Sequence, residues 1–149
     1  MICISEEAWA VMAGHAREHF PNECCGAMIG NVANDTEGGV RKRVVEAVPM
    51  VNAYEGTQTD RYEIRPEDLL KVDRSARDRG LSLIGIYHSH PDCDAYFSKT
   101  DLENSCPWYS FVVISVKGGE VDHANSFLPN AEQTHAEPEP LETPEIKRV

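Results

Sequence analysis

The sequence contains no long uninterrupted run of apolar residues and no basic segment near its first residue. None of its apolar runs approaches the ~20 residues that a membrane-spanning helix needs. The opening stretch, MICISEEAWAV, carries Glu6 and Glu7 where a secretory signal would carry Lys or Arg. We therefore expect neither a membrane-spanning segment nor a secretory signal.

Positive charge is also scarce. Only 14 of the 149 residues are Lys or Arg, against 25 Asp or Glu, which gives a formal net charge of −11. A chain with this balance is repelled by nucleic acids and by anionic membrane surfaces. The composition therefore predicts that the partners of the protein include neither nucleic acid nor membrane.

The cysteines form no CxxC pair, and their number is odd. Five are present, at positions 3, 24, 25, 93 and 106. Without a secretory signal, such a set predicts reduced thiols in a cytoplasmic protein. We interpret Cys24 and Cys25 as packing residues and Cys93 and Cys106 as free or buried thiols. A redox or metal-binding role for these four is the alternative that the sequence leaves open.

Helical and strand patterns alternate along the chain, and several neighbouring strands have the pattern of hairpins. This organisation predicts an α/β (α+β) fold with a mixed, largely antiparallel sheet flanked by helices. Helices are expected over 6–19 after the N-cap Ser5, from Pro66 to a stop at Gly80, and over 98–105. Strands are expected at 2–4, as an edge strand, and at 26–32, 40–51, 62–64, 81–90, 111–116 and 121–128, with a hairpin turn at 34–39.

The composition changes after residue 128, where Pro, Glu and Thr become dominant. A segment of this composition buries little apolar surface and does not offset the entropy cost of ordering. We therefore divide the chain into a folded domain, residues 1–128, and an acidic, Pro/Glu-rich tail, residues 129–149. The tail is expected to be mostly mobile, with at most one edge strand.

The stretch HSHPDCDAYFSKTD, residues 88–101, contains the clearest candidate site. His88 and His90 stand at i and i+2 at the end of an apolar strand, so both imidazoles point to the same face. A proline then ends the strand, which places the pair at the rim of the sheet. After seven intervening residues Ser98 opens a short helix, and Ser-x-x-Asp is the acidic variant of a capping box. The helix start therefore returns Asp101 towards the two histidines.

Two imidazoles and one carboxylate are a suitable ligand set for Zn²⁺. Three protein ligands leave a fourth position for water, as in catalytic zinc sites. Such a water needs a general base, and a developing oxyanion needs a further donor. The residues therefore predict one zinc ion per chain. On chemistry alone, four carboxylates are eligible as the base: Glu23, Glu46, Glu63 and Glu103.

Two separated motifs resemble those of the JAMM, or MPN+ (Mov34/MPN/PAD-1), zinc metalloproteases. That family combines an upstream Glu with His-(Ser/Thr)-His, seven residues, and Ser-x-x-Asp, and residues 88–101 match every fixed position. PNECCGAMIG, residues 21–30, resembles the P-x-E-x-C-G-x-(L/M)-x-G stretch of small stand-alone prokaryotic members. The resemblance covers about residues 1–128 and implies a JAMM/MPN catalytic domain with the cytidine-deaminase-like fold of that family.

The resemblance also implies a role for each site residue. His88, His90 and Asp101 are expected to hold Zn²⁺, and Glu23 is expected to bind the zinc water and to act first as general base and then as acid. The Ser98 hydroxyl is expected to stabilise the tetrahedral intermediate. A plain N-cap role for Ser98 is the alternative, and the two roles are compatible.

The substrate class likewise follows from the resemblance. It implies hydrolysis of a peptide, isopeptide or related acyl bond at the Gly-Gly-type C-terminus of a ubiquitin-like or sulfur-carrier protein. Release of cysteine from such a carrier would connect the enzyme to cysteine biosynthesis. A non-catalytic MPN-like interaction scaffold and a metal-dependent small-molecule amidase are the alternatives. The carrier, the scissile bond and the oligomeric state stay open at this point.

Overall fold

The computed structural model describes residues 1–34 and 37–145. The tip of the predicted turn at 34–39 and the end of the predicted tail, 146–149, lie outside the described residues. The described residues form the helices α1 (Glu6–His19), α2 (Pro66–Asp78) and α3 (Lys99–Glu103). They also form the strands β1 (Ile2–Ile4), β2 (Cys25–Asn34), β3 (Val40–Met50), β4 (Ser82–Pro91), β5 (Ser110–Lys117), β6 (Glu120–Pro129), β7 (Ala136–Glu139) and β8 (Leu141–Glu142).

The strands pair into one sheet in the order β7-β6-β5-β4-β2-β3-β1-β8. β2 pairs antiparallel with β3 and β4, and β6 pairs antiparallel with β5 and β7. The β4–β5, β1–β3 and β1–β8 pairs are parallel. The prediction of a mixed, largely antiparallel sheet flanked by helices is therefore confirmed.

The residues predicted to begin and end the first two helices do so in the structure. The Ser5 hydroxyl accepts a hydrogen bond from the Ala8 N–H at 3.2 Å, which caps α1. Pro66 opens α2, and Gly80 follows its end with a positive φ of 72°. None of the helices in the described residues is long and apolar enough to cross a membrane.

β4 and β5 lie at the centre of the core because both faces of these strands are covered. β4 is buried from Ile84 to His90, as its apolar run predicts. α1 packs on one face of the sheet, and a cluster that includes Tyr62, Ile86 and Phe111 packs on the other. The histidine-bearing end of β4 is therefore fixed by a rigid and fully covered strand.

Residues 62–64 do not form the predicted strand. The Glu63 carbonyl accepts a hydrogen bond from the Ala53 N–H at 2.8 Å, but the Glu63 N–H donates to the side chain of Asn52 at 3.1 Å. A side chain therefore replaces the main-chain partner that a ladder would need. The segment is an extended part of the loop between β3 and α2, and Tyr62 in it is buried.

The segment after Pro129 contains two short strands, where the sequence predicted at most one. β7 and β8 lie at opposite ends of the sheet order with only Pro140 between them, so the sheet must curl until its ends meet. The prediction that β1 is an edge strand is wrong, because β8 pairs with it. Glu139 is buried at this junction, where its carboxylate lies 3.2 Å from Lys42 Nζ and accepts from the Ser126 hydroxyl at 3.0 Å.

Two glycine substitutions should change the free energy of unfolding in opposite directions, one at a tightly packed position and one at an open position. A Cβ at Gly85 in β4 would lie 1.9 Å from the Ser110 carbonyl oxygen, whereas a Cβ at Gly14 in α1 would meet no atom within 4 Å. We expect Gly85→Ala to lower the free energy of unfolding by about 1–3 kcal/mol. Gly14→Ala should raise it by about 0.5–1 kcal/mol, because alanine favours the helix. Urea unfolding followed by circular dichroism measures both, and an unchanged Gly85→Ala would contradict the close β4–β5 approach.

Candidate metal centre

The end of β4 and the first turn of α3 bring three polar side chains into contact. His88 Nε2 lies 3.2 Å from Asp101 Oδ1, and His90 Nε2 lies 3.0 Å from Asp101 Oδ2. One ligand atom from each residue lies within 4.8 Å of the others, and all three residues are buried. Among the described residues, this is the one group of three or more His, Cys, Asp or Glu side chains close enough to hold a metal ion.

The hydrogen bond of His90 fixes which of its nitrogens can bind a metal. Its Nδ1 lies 3.0 Å from the Asp94 carbonyl oxygen, which only accepts, so Nδ1 carries the hydrogen. In the neutral ring, Nε2 then carries a lone pair and no hydrogen. The two atoms that face each other, His90 Nε2 and Asp101 Oδ2, are therefore both hydrogen-bond acceptors. Burial lowers the pKa of His90, but the hydrogen bond to Asp101 and its charge outweigh burial and raise that pKa. A proton or a metal cation is required between the two atoms.

His88 is the second imidazole of the cluster. Its side chain is fully buried, its Nε2 lies 3.2 Å from Asp101 Oδ1, and its Nδ1 has no hydrogen-bond partner among the described residues. Burial lowers the pKa of His88, which favours the neutral ring that metals bind. The ring stacks on Tyr62 with centroids 4.5 Å apart. The orientation of His88 is therefore set by ring packing rather than by a hydrogen bond at Nδ1.

Asp101 is held by the capping box that the sequence predicts. The Ser98 N–H donates to Asp101 Oδ2, and the Asp101 N–H donates to Ser98 Oγ, both at 3.0 Å. Burial alone would raise the pKa of Asp101, but the contacts with His88 and His90 and the Ser98 N–H bring it well below its usual range. The site therefore contains a carboxylate whose oxygens face both imidazoles.

Glu23 enters the same site from the segment just before β2. It lines a cavity of about 50 Å³ together with His90, Ser98, Thr59, Asp60, Pro91, Cys93 and Tyr96. Its side chain is buried, and its Oε1 has no hydrogen-bond partner among the described residues. Burial raises the pKa of Glu23 to about 8. A nearby divalent cation would reverse that preference and favour the carboxylate.

The other three carboxylates eligible on sequence lie elsewhere. Glu46 is exposed on β3 and pairs with Arg79 at 2.7 Å. Glu63 and Glu103 are also exposed, and neither lines the cavity of Glu23 and His90. Glu23 is therefore the one member of the four that shares a cavity with the histidine cluster.

Ser89, which sequence reasoning missed, joins the Glu23 segment to the ligand strand. It lies between the two histidines and points to the opposite face of β4. Its hydroxyl accepts from the Cys24 N–H at 2.8 Å, and its own N–H donates to the Cys24 carbonyl at 3.1 Å. These bonds fix the residue next to Glu23 against β4. The period of two along the strand was the signal that could have separated Ser89 from its neighbours.

The loop between β4 and α3 is anchored by side chains of β6. The Ala95 N–H donates to His123 Nε2 at 2.9 Å, and Asn125 Nδ2 donates to the Ala95 carbonyl at 3.0 Å. The same loop supplies the Asp94 carbonyl that orients His90. The seven residues between His90 and Ser98 are therefore held in place from β6.

Cys24 and Cys25 have the environment of packing residues. Both are fully buried, and burial raises the pKa of Cys24 to about 11 and that of Cys25 to about 12. Thiols with such pKa values are protonated at neutral pH and are poor nucleophiles. Cys93 is exposed and lines the cavity of Glu23 and His90, whereas Cys106 lies in the second apolar cluster.

The donor set suits a divalent metal ion. It offers one imidazole whose pKa is lowered by burial, a second imidazole whose Nε2 faces a carboxylate oxygen, and that carboxylate itself. Nitrogen and carboxylate ligands of this kind are typical of zinc and of related first-row metals. The three residues therefore fit a metal ion.

Comparison with known proteins assigns the class of the chain. The family model described as prokaryotic homologs of the JAB domain matches residues 5–128. The match includes Glu23, the two histidines, Ser98 and Asp101, and the protein is a JAMM-type hydrolase. Within that class, the chain belongs to the family of prokaryotic homologs of the JAB domain.

Individual relatives agree with this assignment. The chain is 28% identical over 123 residues to a desampylase of Haloferax volcanii. These aligned residues make up 82% of this chain and 86% of the relative. It is 34% identical over 107 residues to a CysO-cysteine peptidase of Mycobacterium tuberculosis, covering 71% of this chain and 67% of the relative. A solution structure of a Desulfitobacterium hafniense protein superposes with a TM-score of 0.79 at 25% identity, covering 97% of this chain and 94% of the other.

Metal binding should depend on pH. We expect chelator-stripped protein to bind about one equivalent of Zn²⁺, with an affinity that falls as pH falls from about 8 to 6. The raised pKa values of His90 and Glu23 mean that both groups hold their protons more strongly than usual, and a bound cation competes with those protons. Displacement of one proton makes the affinity change about tenfold for each pH unit.

Isothermal titration calorimetry in buffers of different ionisation enthalpy measures the protons released. His90→Ala should bind Zn²⁺ at least roughly tenfold more weakly at pH 7.5, because it removes one of the three side chains and the site's best-oriented nitrogen. Wild-type affinity that does not change over this pH range would contradict the prediction.

Proposed function

We propose that the protein is a zinc-dependent metallopeptidase. Its substrate would be the Gly-Gly-type C-terminus of a ubiquitin-like or sulfur-carrier protein, where it hydrolyses a peptide, isopeptide or related acyl bond. The observation that carries the proposal is the buried carboxyl group of Glu23, whose Oε1 has no hydrogen-bond partner among the described residues, in the cavity that His90 and Ser98 line. The names of the relatives, a desampylase and a CysO-cysteine peptidase, support the substrate class.

His88, His90 and Asp101 would hold the zinc ion. A zinc ion bound there would polarise the scissile carbonyl and lower the pKa of water to near 7. Glu23 then has two tasks in this proposal: it accepts a proton from the attacking water and returns it to the leaving amine. An Oε1 without a hydrogen-bond partner suits this role, since no other group competes for the proton.

Ser98 can perform two roles at once. Its oxygen accepts the capping bond from the Asp101 N–H, and its hydroxyl hydrogen is still available as a donor. Ser98 lines the cavity with Glu23, so we propose that this hydrogen stabilises the oxyanion that develops on the substrate.

The size of the cavity supports a glycine-rich substrate end. A space of about 50 Å³ beside Glu23 and His90 accommodates a few water molecules or a bare peptide backbone. The walls of this space include Thr59 and Tyr96. A flexible Gly-Gly tail would enter such a space without displacing the walls.

Replacement of Glu23 tests the proposed base. We expect Glu23→Gln to bind zinc with the wild-type stoichiometry and to lose about 10²–10⁴-fold in cleavage rate, because the amide cannot take up the proton. Glu46→Gln is the matched control, since Glu46 is exposed and pairs only with Arg79 there, and it should cleave at the wild-type rate. Full activity of Glu23→Gln on carrier fusions would refute the role of Glu23.

Two replacements at Ser98 separate the cap from the hydroxyl. Alanine at an N-cap costs about 1 kcal/mol of stability, whereas glycine costs only a few tenths. If the hydroxyl is catalytic, Ser98→Gly and Ser98→Ala should lose kcat to the same extent, although Ser98→Gly retains nearly the wild-type unfolding free energy. If activity followed stability instead, with Ser98→Gly close to wild type, Ser98 would be a cap alone.

The substrate class requires its own assay. We expect cleavage of carrier–cysteine adducts and carrier–protein fusions that end in Gly-Gly, with complete loss on addition of a chelator and recovery with Zn²⁺. The same enzyme should leave short acyl-cysteine conjugates largely uncut. Cleavage of the short conjugates alone would favour the small-molecule amidase, and a metal-free, inactive protein would favour the interaction scaffold.

A further inference from the structure

The position of Glu23 depends on its backbone. No described residue forms a hydrogen bond with its Oε1, so this carboxyl oxygen has no partner that would fix its direction. Glu23 also precedes β2, which begins at Cys25, so the pairing of the sheet does not extend to it. The described hydrogen bonds that hold Glu23 are those of its main chain.

The loop between β3 and α2 holds that main chain on both sides. The Glu23 N–H donates to the Gln58 carbonyl at 2.7 Å. The Glu23 carbonyl accepts from Asn52 Nδ2 at 3.2 Å. Both polar groups of the Glu23 peptide backbone therefore bond to this loop, and neither bonds to the sheet.

Asn52 organises the loop through a fully used side-chain amide. Its Nδ2 donates to the carbonyls of Glu23 and Arg61, at 3.2 and 3.1 Å. Its Oδ1 accepts from the N–H groups of Tyr54 and Glu63, both at 3.1 Å. Two donors and two acceptor positions are all that this side chain possesses. A network in which every member is satisfied in this way rigidifies the segment that it joins.

The remaining bonds of the loop connect Asn52 with Gln58. Gln58 Nε2 donates to the main-chain carbonyls of Asn52 and Tyr54, at 3.0 and 2.8 Å. The Gln58 carbonyl is the group that accepts from Glu23, and the next residues, Thr59 and Asp60, line the cavity. One hydrogen-bonded unit therefore holds Glu23 and supplies part of the cavity wall.

We propose that Asn52 is the positioning residue of the proposed general base. It would fix the direction of Glu23 by bonding its carbonyl and by bracing the loop that bonds its N–H. This inference rests on the proposed function only for its catalytic consequence. Asn52 does not contact the metal ligands in the described hydrogen bonds, so its loss should affect the base and leave the metal site intact.

Asn52→Asp provides a selective test. The new carboxylate retains acceptors for the Tyr54 and Glu63 N–H groups, but it replaces both donors with an oxygen that faces two carbonyls. We expect the variant to bind one equivalent of Zn²⁺ with wild-type affinity and to lose about 100-fold in kcat on carrier fusions, with a smaller change in KM. Asn52→Ala, which removes all four bonds without adding charge, should behave in the same way.

A second measurement does not depend on activity. Hydrogen exchange of zinc-loaded protein should be faster in Asn52→Asp than in wild type at the amides of residues 22–25 and 53–63, with β4 and β5 unchanged. Tyr54→Phe is the matched control within the loop, since it removes only the exposed bond from Arg61 to the Tyr54 hydroxyl. It should leave exchange, zinc affinity and kcat at the wild-type values.

The outcomes separate the two proposals. Active wild type with an equally active Asn52→Asp would overturn the role of Asn52 and leave the proposed function standing. Inactive wild type would remove the proposed function, and exchange at residues 22–25 would then decide whether Asn52 holds the Glu23 backbone. Loss of zinc in both Asn52 variants would also overturn the inference, because it would indicate a general structural role.

Discussion

The contact between the Asp101 carboxylate and the two imidazoles constrains the rest of the structure. A buried carboxylate is costly unless charged or donor groups surround it. His88 and His90 provide two such groups from β4, and the Ser98 N–H provides a third from the start of α3. This contact requires β4 and α3 to meet within a few ångströms, so the connecting loop must be fixed as well, which the bonds from β6 to Ala95 achieve.

The same strand also fixes the distance to Glu23. β2 runs antiparallel to β4 with Cys25 opposite His88, and Ser89 bonds both backbone groups of Cys24. The segment that carries Glu23 is therefore attached to the strand that carries the histidines. The loop of Asn52 holds the other side of Glu23. The site consequently depends on two anchors of different kinds, one in the sheet and one in a loop.

The part of the site within residues 88–101 could be predicted from local rules, because strand period and capping chemistry act over a few residues. The proposed general base could not be chosen in this way, since Glu46, Glu63 and Glu103 are chemically equivalent to Glu23 until the fold places Glu23 alone of the four at the cavity. The strand predicted at residues 62–64 is absent, and the segment after Pro129 forms two short strands, for a related reason. The Glu63 N–H bonds a side chain instead of a strand, and β7 and β8 are ordered by distant partners such as Lys42. Neither effect leaves a periodic pattern in the sequence.

Two buried glutamates in this chain show which observation carries functional information. Glu139 and Glu23 are 6% and 3% exposed, so burial alone does not distinguish them. The carboxylate of Glu139 lies against Lys42 and accepts from Ser126, and its role in closing the sheet accounts for it. Glu23 lines a cavity, and its Oε1 has no hydrogen-bond partner among the described residues. No described side chain pairs with that oxygen, and proton transfer to and from a water in the cavity is the role that we propose for it.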